Sequence, residues 1–308
     1  METRSLGPLE VPVVGIGCNN FGVRLDQEAT TAVVDAAIEE GCKFFDTADI
    51  YGSSDSERLL GQALGSRRDQ VLIATKFGAP YADEPGGASP SYVRHACERS
   101  LERLSTDRID LYQLHIPDPT VPIAETMGAL DELVQAGLVR AIGCSNVSPT
   151  QLAEANQAAP GTRFVSVQNQ YSLLWREPEE ELLAELDRQG AGLLPYYPLA
   201  NGLLTGKYKK GEPVPEGARL ALLPEERTTH WLSEAVLDVV EAIREISDAH
   251  EVDMVTLAFS WLLSRPQVSC VIAGASNPEQ VRQNAAAAGG LDPSLIALLD
   301  AATEQPVT

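Results

Sequence analysis

Asp46, Tyr51, Lys76 and His115 are four side chains whose types could share one piece of chemistry. Asp46 and Tyr51 lie in KFFDTADIYG, Lys76 ends VLIATK, and His115 ends IDLYQLH. An ammonium held beside a carboxylate could stabilise a phenolate, because a nearby cation lowers a phenol whose ordinary pKa is about 10. The expectation is a Tyr51 hydroxyl acidic enough to release its proton near neutral pH to an oxygen gathering negative charge, as when hydride adds to a carbonyl. One ring N–H of His115 could polarise and aim that carbonyl. Taken singly, each has a plainer reading: Asp46 a loop cap, Tyr51 a packed ring, Lys76 a solvated charge, His115 a satisfied core imidazole. Their common placement where apolar runs end favours the chemistry. Asp49 is expected to order the intervening turn, and Glu57 and Arg58 to sit on an exposed helix start.

These positions need a frame that brings strand ends together. Eight short β-branched or aromatic runs are legible: VGIGC (14–18), KFFDT (43–47), VLIATK (71–76), IDLYQLH (109–115), VRAIGCS (139–145), FVSVQ (164–168), AGLLPYY (191–197) and SCVIAG (269–274). Helical spacing of apolar residues lies between them, most clearly over 28–40, 92–104, 125–136, 179–189, 233–250 and 254–263, with a last stretch at 293–302. Alternation of this kind makes a parallel sheet, and eight units in about 250 residues predict a closed α/β (β/α)8 TIM barrel rather than a doubly wound sheet. RSLGPLEVP reads as a short N-terminal β-hairpin turning at Gly7 and Pro8. Residues 205–230, rich in Pro and Gly and without periodicity, read as a long loop after strand seven. No composition shift divides the chain, so residues 1–308 are expected to form a single domain. In a barrel the C-terminal strand ends share one mouth, where Asp46, Lys76 and His115 would meet.

The 308 residues carry 23 Lys plus Arg against 44 Asp plus Glu, a formal charge of −21 that repels a phosphate backbone and argues against nucleic acid. The local exception, Lys207, Lys209, Lys210 and Arg219, suits one small anion. Five widely spaced cysteines without a CxxC argue against a disulfide framework or zinc ribbon. With no apolar signal core at the start and no long apolar run, a soluble cytoplasmic protein without membrane partners is expected. The pairs His115 with Asp118 and His250 with Asp253 lack a third ligand, so no catalytic metal is expected.

The chain resembles the aldo-keto reductase superfamily, its potassium-channel beta-subunit-like branch included. The likeness rests on GIGCNNFG (15–22), FDTADIYGSSDSERLLGQAL (45–64), VLIATKFG (71–78), DLYQLHIPD (110–118), VRAIGCSN (139–146), SVQNQYSLL (166–174), PYYPLANGLLTGKY (195–208) and GASNPEQVRQN (274–284), in order along nearly the whole chain. It implies a barrel reducing aldehydes or ketones with NADPH, Tyr51 as proton donor, Asp46 and Lys76 tuning it and His115 orienting substrate.

GIGCNNFG is not the GxGxxG dinucleotide fingerprint, and GLLTGKY is not a P-loop, so a nucleotide must be held otherwise. The resemblance implies how. Gly17, Cys18 and Asn19 would lie in the first loop, with Asp46 near the nicotinamide ribose. Ser145, Asn146 and Gln168 would bond the carboxamide, and Tyr196 would stack on the ring. Leu199, Gly202, Leu204 and Lys207 would approach the pyrophosphate, Arg219 a 2′-phosphate, and Ser276, Gln280, Gln283 and Asn284 the adenosine end. Many relatives have Lys and Arg where this chain has Gly274 and Gln280, and often Glu for Gln283, so NADH use stays open beside NADPH. Asn19, Phe21, Trp175 and Tyr81 are substrate-contact candidates, and the short stretch after Asn284 implies an open mouth for varied small carbonyl compounds. Two other classes stand: a non-catalytic NADP(H)-binding regulatory subunit, and an aldolase using Lys76 as Schiff base.

Overall fold

The computed structural model describes residues 1–82 and 84–304. Its strands are β1 (Thr3–Leu6), β2 (Leu9–Pro12), β3 (Val14–Gly17), β4 (Phe44–Asp46), β5 (Leu72–Phe77), β6 (Ile109–Leu114), β7 (Val139–Ser145), β8 (Phe164–Gln168), β9 (Gly192–Leu193) and β10 (Val271–Gly274). β1 and β2 form the expected antiparallel hairpin, with Gly7 left-handed in its turn. The other eight are parallel in the order β10-β3-β4-β5-β6-β7-β8-β9. The two ends of that sheet meet: the Leu193 N–H donates to the Gln267 carbonyl at 2.7 Å, Ser269 to Leu193 at 2.9 Å, and Ile272 to Pro195 at 3.2 Å. These bonds close the sheet into a barrel.

Strand seven is shorter than its apolar run suggests. Regular pairing stops at Leu193 because Pro195 cannot donate to a ladder and Tyr197 takes a left-handed φ of 53°. The helices follow the predicted spans to within a few residues, and their starts are chemically marked. Asp26, Ser89, Ser233 and Asp253 each accept a first-turn N–H with the side chain. The helix Pro149–Ala158, only weakly periodic, begins with a capping box between Ser148 and Gln151. The long loop at 205–230 contains two short helical turns, Arg219–Leu222 and Glu225–Thr228.

Side chains on a strand alternate between faces, and the inward set is sorted by height. Phe44, Ala74, Leu111, Ala141 and Cys270 form an apolar layer with Leu6, Leu9 and Val11 of the hairpin, which plug the lower end of the barrel. Each buried leucine there contributes about 1.5–3 kcal/mol. Two residues further along the strands the partners of Phe44, Ala74 and Leu111 are Asp46, Lys76 and Gln113, all buried. The same period that builds the plug therefore sets a polar layer at the other end.

Candidate active site

Lys76 is fully buried and its ammonium has three oxygen neighbours: Asp46 Oδ2 at 2.6 Å, the Thr47 carbonyl at 2.9 Å and Tyr51 Oη at 3.5 Å. Desolvation works against its charge, yet Asp46 and Tyr51 prevail and hold Lys76 above its ordinary value. Asp46 is fixed in turn by amide donors from two further strands, Gln113 Nε2 at 3.1 Å and Gln168 Nε2 at 2.8 Å, both on Oδ1. A buried charge is tolerable when paired and hydrogen-bonded in this way.

Tyr51 departs from the sequence expectation. Burial raises its phenol, and although Lys76 pulls in the other direction the net direction is up. The desolvation of a buried phenolate outweighs the field of Lys76, which Asp46, 2.6 Å from the ammonium, opposes as well. The Tyr51 phenol therefore stays protonated at neutral pH instead of being acidified. His115 is driven from 6.5 to about 3, first by burial and then by Lys76, so its imidazole is neutral. Its Nδ1 is buried without a partner, and its carbonyl accepts from Asn146 Nδ2 at 3.0 Å.

Tyr51 and His115 open into a cleft of about 1130 Å³, beyond the roughly 300–1,000 Å³ of ordinary small-molecule sites. Gly17, Asn19, Ser145, Asn146, Gln168 and Tyr196 are on its wall; so are Leu199, Gly202, Lys207 and Arg219, and Ser276, Gln280, Gln283 and Asn284. Ser145 Oγ donates to the Gln168 carbonyl at 2.6 Å, and Tyr196 Oη to Asn146 Oδ1 at 2.9 Å, so these four are locked to one another. Asn146, Tyr197, Ala200 and Asn201 all have left-handed φ values of 45–58°. Each costs about 1–3 kcal/mol and persists only where its surroundings hold it, as at binding sites. Gly202 has a φ of 94°, which L side chains rarely adopt, and a Cβ there would also crowd Lys207 Nζ at 3.1 Å.

Several of the expected residues are not on the cleft wall. Cys18 and Phe21 are fully buried in the core and absent from the cleft wall, because the loop after β3 turns those two inward and Asn19 outward. Leu204 is likewise buried. Trp175 borders a separate cavity of about 460 Å³, which shares Asn146 and Tyr196 with the main cleft, and it stands edge to face with His230 at 6.3 Å. Tyr81 pairs with Glu84 in another loop, away from the cleft wall. Glu57 is not on an exposed start: it is fully buried, accepting from Thr75 Oγ at 2.5 Å and Arg103 Nε at 2.6 Å. Arg58 is exposed and pairs with Asp55. Asp49 orders the turn through its backbone, donating to the Lys76 carbonyl at 3.1 Å and accepting from Ser54 Oγ at 2.9 Å. Its carboxyl is buried with no partner, and burial, then Glu57, pushes it up to about 8.

The cleft wall also holds residues that the sequence did not single out, among them Arg24, Tyr197, Asn201 and Arg227. None of the ion pairs among the described residues includes Arg24, Lys207, Arg219 or Arg227. Four cations without acidic partners, in a chain of charge −21, fit a ligand with several negative charges. Asn284 Nδ2, buried without a partner on the same wall, fits a polar ring edge. Among the described residues no cluster suited to a metal and no helix long and apolar enough to cross a membrane is found.

A closed parallel barrel with a buried lysine–carboxylate–phenol set at its C-terminal mouth defines a class of oxidoreductase. The aldo/keto reductase family model matches residues 13–304, and the chain belongs to that family. It is 33% identical to a probable voltage-gated potassium channel subunit beta from Arabidopsis thaliana, over 92% of this chain and 90% of that one. It is 31% identical to the aldo-keto reductase yakc [NADP(+)] of Schizosaccharomyces pombe, over 92% and 86%. Among solved structures, the holo form of an aldo-keto reductase from Bacillus halodurans superposes with a TM-score of 0.81 at 31% identity, covering 98% of this chain and 96% of that chain.

Proposed function

We propose that this oxidoreductase reduces aldehydes or ketones to alcohols, using NADPH, with Tyr51 as the proton donor. The observation that carries the reading is the Lys76 ammonium shared between Asp46 at 2.6 Å and the Tyr51 hydroxyl at 3.5 Å, beside a neutral imidazole. A bound reduced nicotinamide would supply the hydride. Ser145, Asn146, Gln168 and Tyr196 would hold its ring, and Arg219 and Lys207 its phosphates; a relative named for NADP(+) supports that choice over NADH. As negative charge gathers on the carbonyl oxygen, Tyr51 Oη delivers a proton to it and is left as a phenolate. Lys76 stabilises that phenolate, and Asp46 keeps Lys76 charged. His115, neutral, donates one N–H to the same oxygen and aims it.

The relative named as a channel subunit motivates a regulatory reading, in which the cleft binds NADP(H) without turnover. Consumption of NADPH over a panel of aldehydes, quinones and sugars decides between the two, and no consumption with any of them sinks the reductase. Broad acceptance across the panel supports an open mouth. The aldolase reading is disfavoured by a Lys76 that is buried, paired and charged, hence a poor nucleophile. Borohydride trapping of a covalent adduct on Lys76 would revive it.

A further inference from the structure

We propose that Gln113 is a positioning residue of the reaction: from beneath the cleft its amide holds Asp46 Oδ1, which keeps Oδ2 on Lys76 and the ammonium aimed at Tyr51. The inference rests on the reading above, since it gives Gln113 a part in the same reduction.

Gln113 lies on β6 between two unlike neighbours. In register it stands beside Lys76 of β5 on one side and Gly143 of β7 on the other, and Gly143 pairs in turn with Ser166 of β8. Gly143 shapes the seat. A Cβ there would stand 2.3 Å from Ser166 Oγ and 3.3 Å from Gln113 Cγ, so the glutamine stem and the serine hydroxyl occupy the space that a side chain would take. Gln113 is fully buried and absent from the cleft wall, and its Nε2 donates to Asp46 Oδ1 at 3.1 Å. An ionised carboxylate only accepts, so the NH2 end of the amide must face it.

Stability does not explain this amide. Gln113 Oε1 is buried without a partner among the described residues. A buried carbonyl left unpaired costs stability, and an apolar side chain of the same length carries no such cost. What the amide supplies is a fixed carboxylate. Asp46 Oδ2 meets Lys76 at 2.6 Å, while the negative charge of Asp46 opposes a phenolate at Tyr51. Donors on Oδ1 draw on that charge and stop the carboxylate from turning about its Cβ–Cγ bond. Gln168 Nε2 also bonds Oδ1, at 2.8 Å, but Gln168 is on the cleft wall, where the reading above gives it the nicotinamide. Gln113, off that wall, is the donor that answers to Asp46 alone.

The test uses the full chain, NADPH and nitrobenzaldehyde, with hydride transfer read as the single-turnover loss of NADPH absorbance so that product release does not mask it. In Q113M the transfer rate falls about tenfold, while substrate KM, NADPH affinity and melting temperature stay near wild type. Asp46→Asn combined with Q113M is no slower than Asp46→Asn alone, because Gln113 acts through that carboxylate. Q113E is the conservative rescue. The charged groups beside position 113 are Asp46 of β4, which it bonds, and Lys76 of β5, already paired with Asp46; its β7 and β8 neighbours are Gly143 and Ser166. Burial and Asp46 keep the introduced carboxyl protonated in mild acid, where its O–H serves Asp46 in place of the amide. The Q113E rate therefore stands within about threefold of wild type at about pH 6 and falls towards that of Q113M as pH rises and the bond is lost.

A Q113M transfer rate within about twofold of wild type overturns the inference. So does a loss of rate matched by an equal loss of NADPH affinity or by a fall in melting temperature, which would make Gln113 a packing residue, and so does a Q113E profile parallel to that of Q113M. The functional reading fails separately, and takes the inference with it, if the wild type transfers no hydride to nitrobenzaldehyde or to any member of the aldehyde, quinone and sugar panel.

Discussion

The rings of Tyr51 and His115 stand edge to face, 6.0 Å between centroids and 82° between planes. One comes from the loop after β4 and the other from the end of β6, so a phenol hydroxyl and a neutral imidazole border the same small space with Lys76 beneath. On the proposed mechanism these supply a donor, an orienting group and a cation, and each can be removed separately.

Tyr51→Phe removes the transferable proton and leaves the ring. Turnover should fall by about 10²–10⁴, while NADPH affinity and melting temperature stay near wild type, as checked by steady-state rates and ligand titration. A variant that keeps full activity excludes Tyr51 as the donor.

Lys76→Met leaves Asp46 buried without its cation. Stability should drop by about 3–5 kcal/mol in denaturant titration. Combining it with Asp46→Asn should restore most of that loss and none of the activity, because the cation beneath Tyr51 is still missing. If the double variant is no more stable than Lys76→Met, the pair is not what costs stability.

His115 is neutral until about pH 3, so the profile of kcat/KM should show no inflection near its ordinary value of about 6.5. The same shift has a stability sign. A group whose folded pKa is depressed in this way makes the protein lose stability as pH falls from about 6.5 towards 3, since the unfolded histidine takes up the proton. Replacing His115 by Gln should flatten that part of the melting curve against pH; an inflection near 6.5 in the wild-type rate that disappears in the variant would contradict a neutral imidazole.

Asp49 titrates in the opposite sense. Its folded pKa of about 8 lies above the ordinary 3.8, so the folded state binds the extra proton and stability declines as pH rises from 3.8 towards 8. Asp49→Asn, which keeps the shape without the charge, should remove that decline and raise the melting temperature at pH 8 relative to wild type. Parallel curves for the two proteins would refute a buried neutral carboxyl.

Alternation of apolar runs with helical spacing determined the barrel, and the two-residue period of its strands determined that Asp46, Lys76 and His115 would face one mouth. Both follow from covalent geometry and local burial, which any stretch of sequence displays by itself. What lies on which side of a loop does not. Cys18 and Phe21 turned out to be core and Arg24 cleft; Glu57 found Arg103 on a distant helix; and the direction in which Tyr51 shifts was settled by the burial of its hydroxyl against the pull of Lys76. Those outcomes depend on desolvation and on Coulomb fields that vary with distances between residues far apart in the chain, and only the folded arrangement sets those distances.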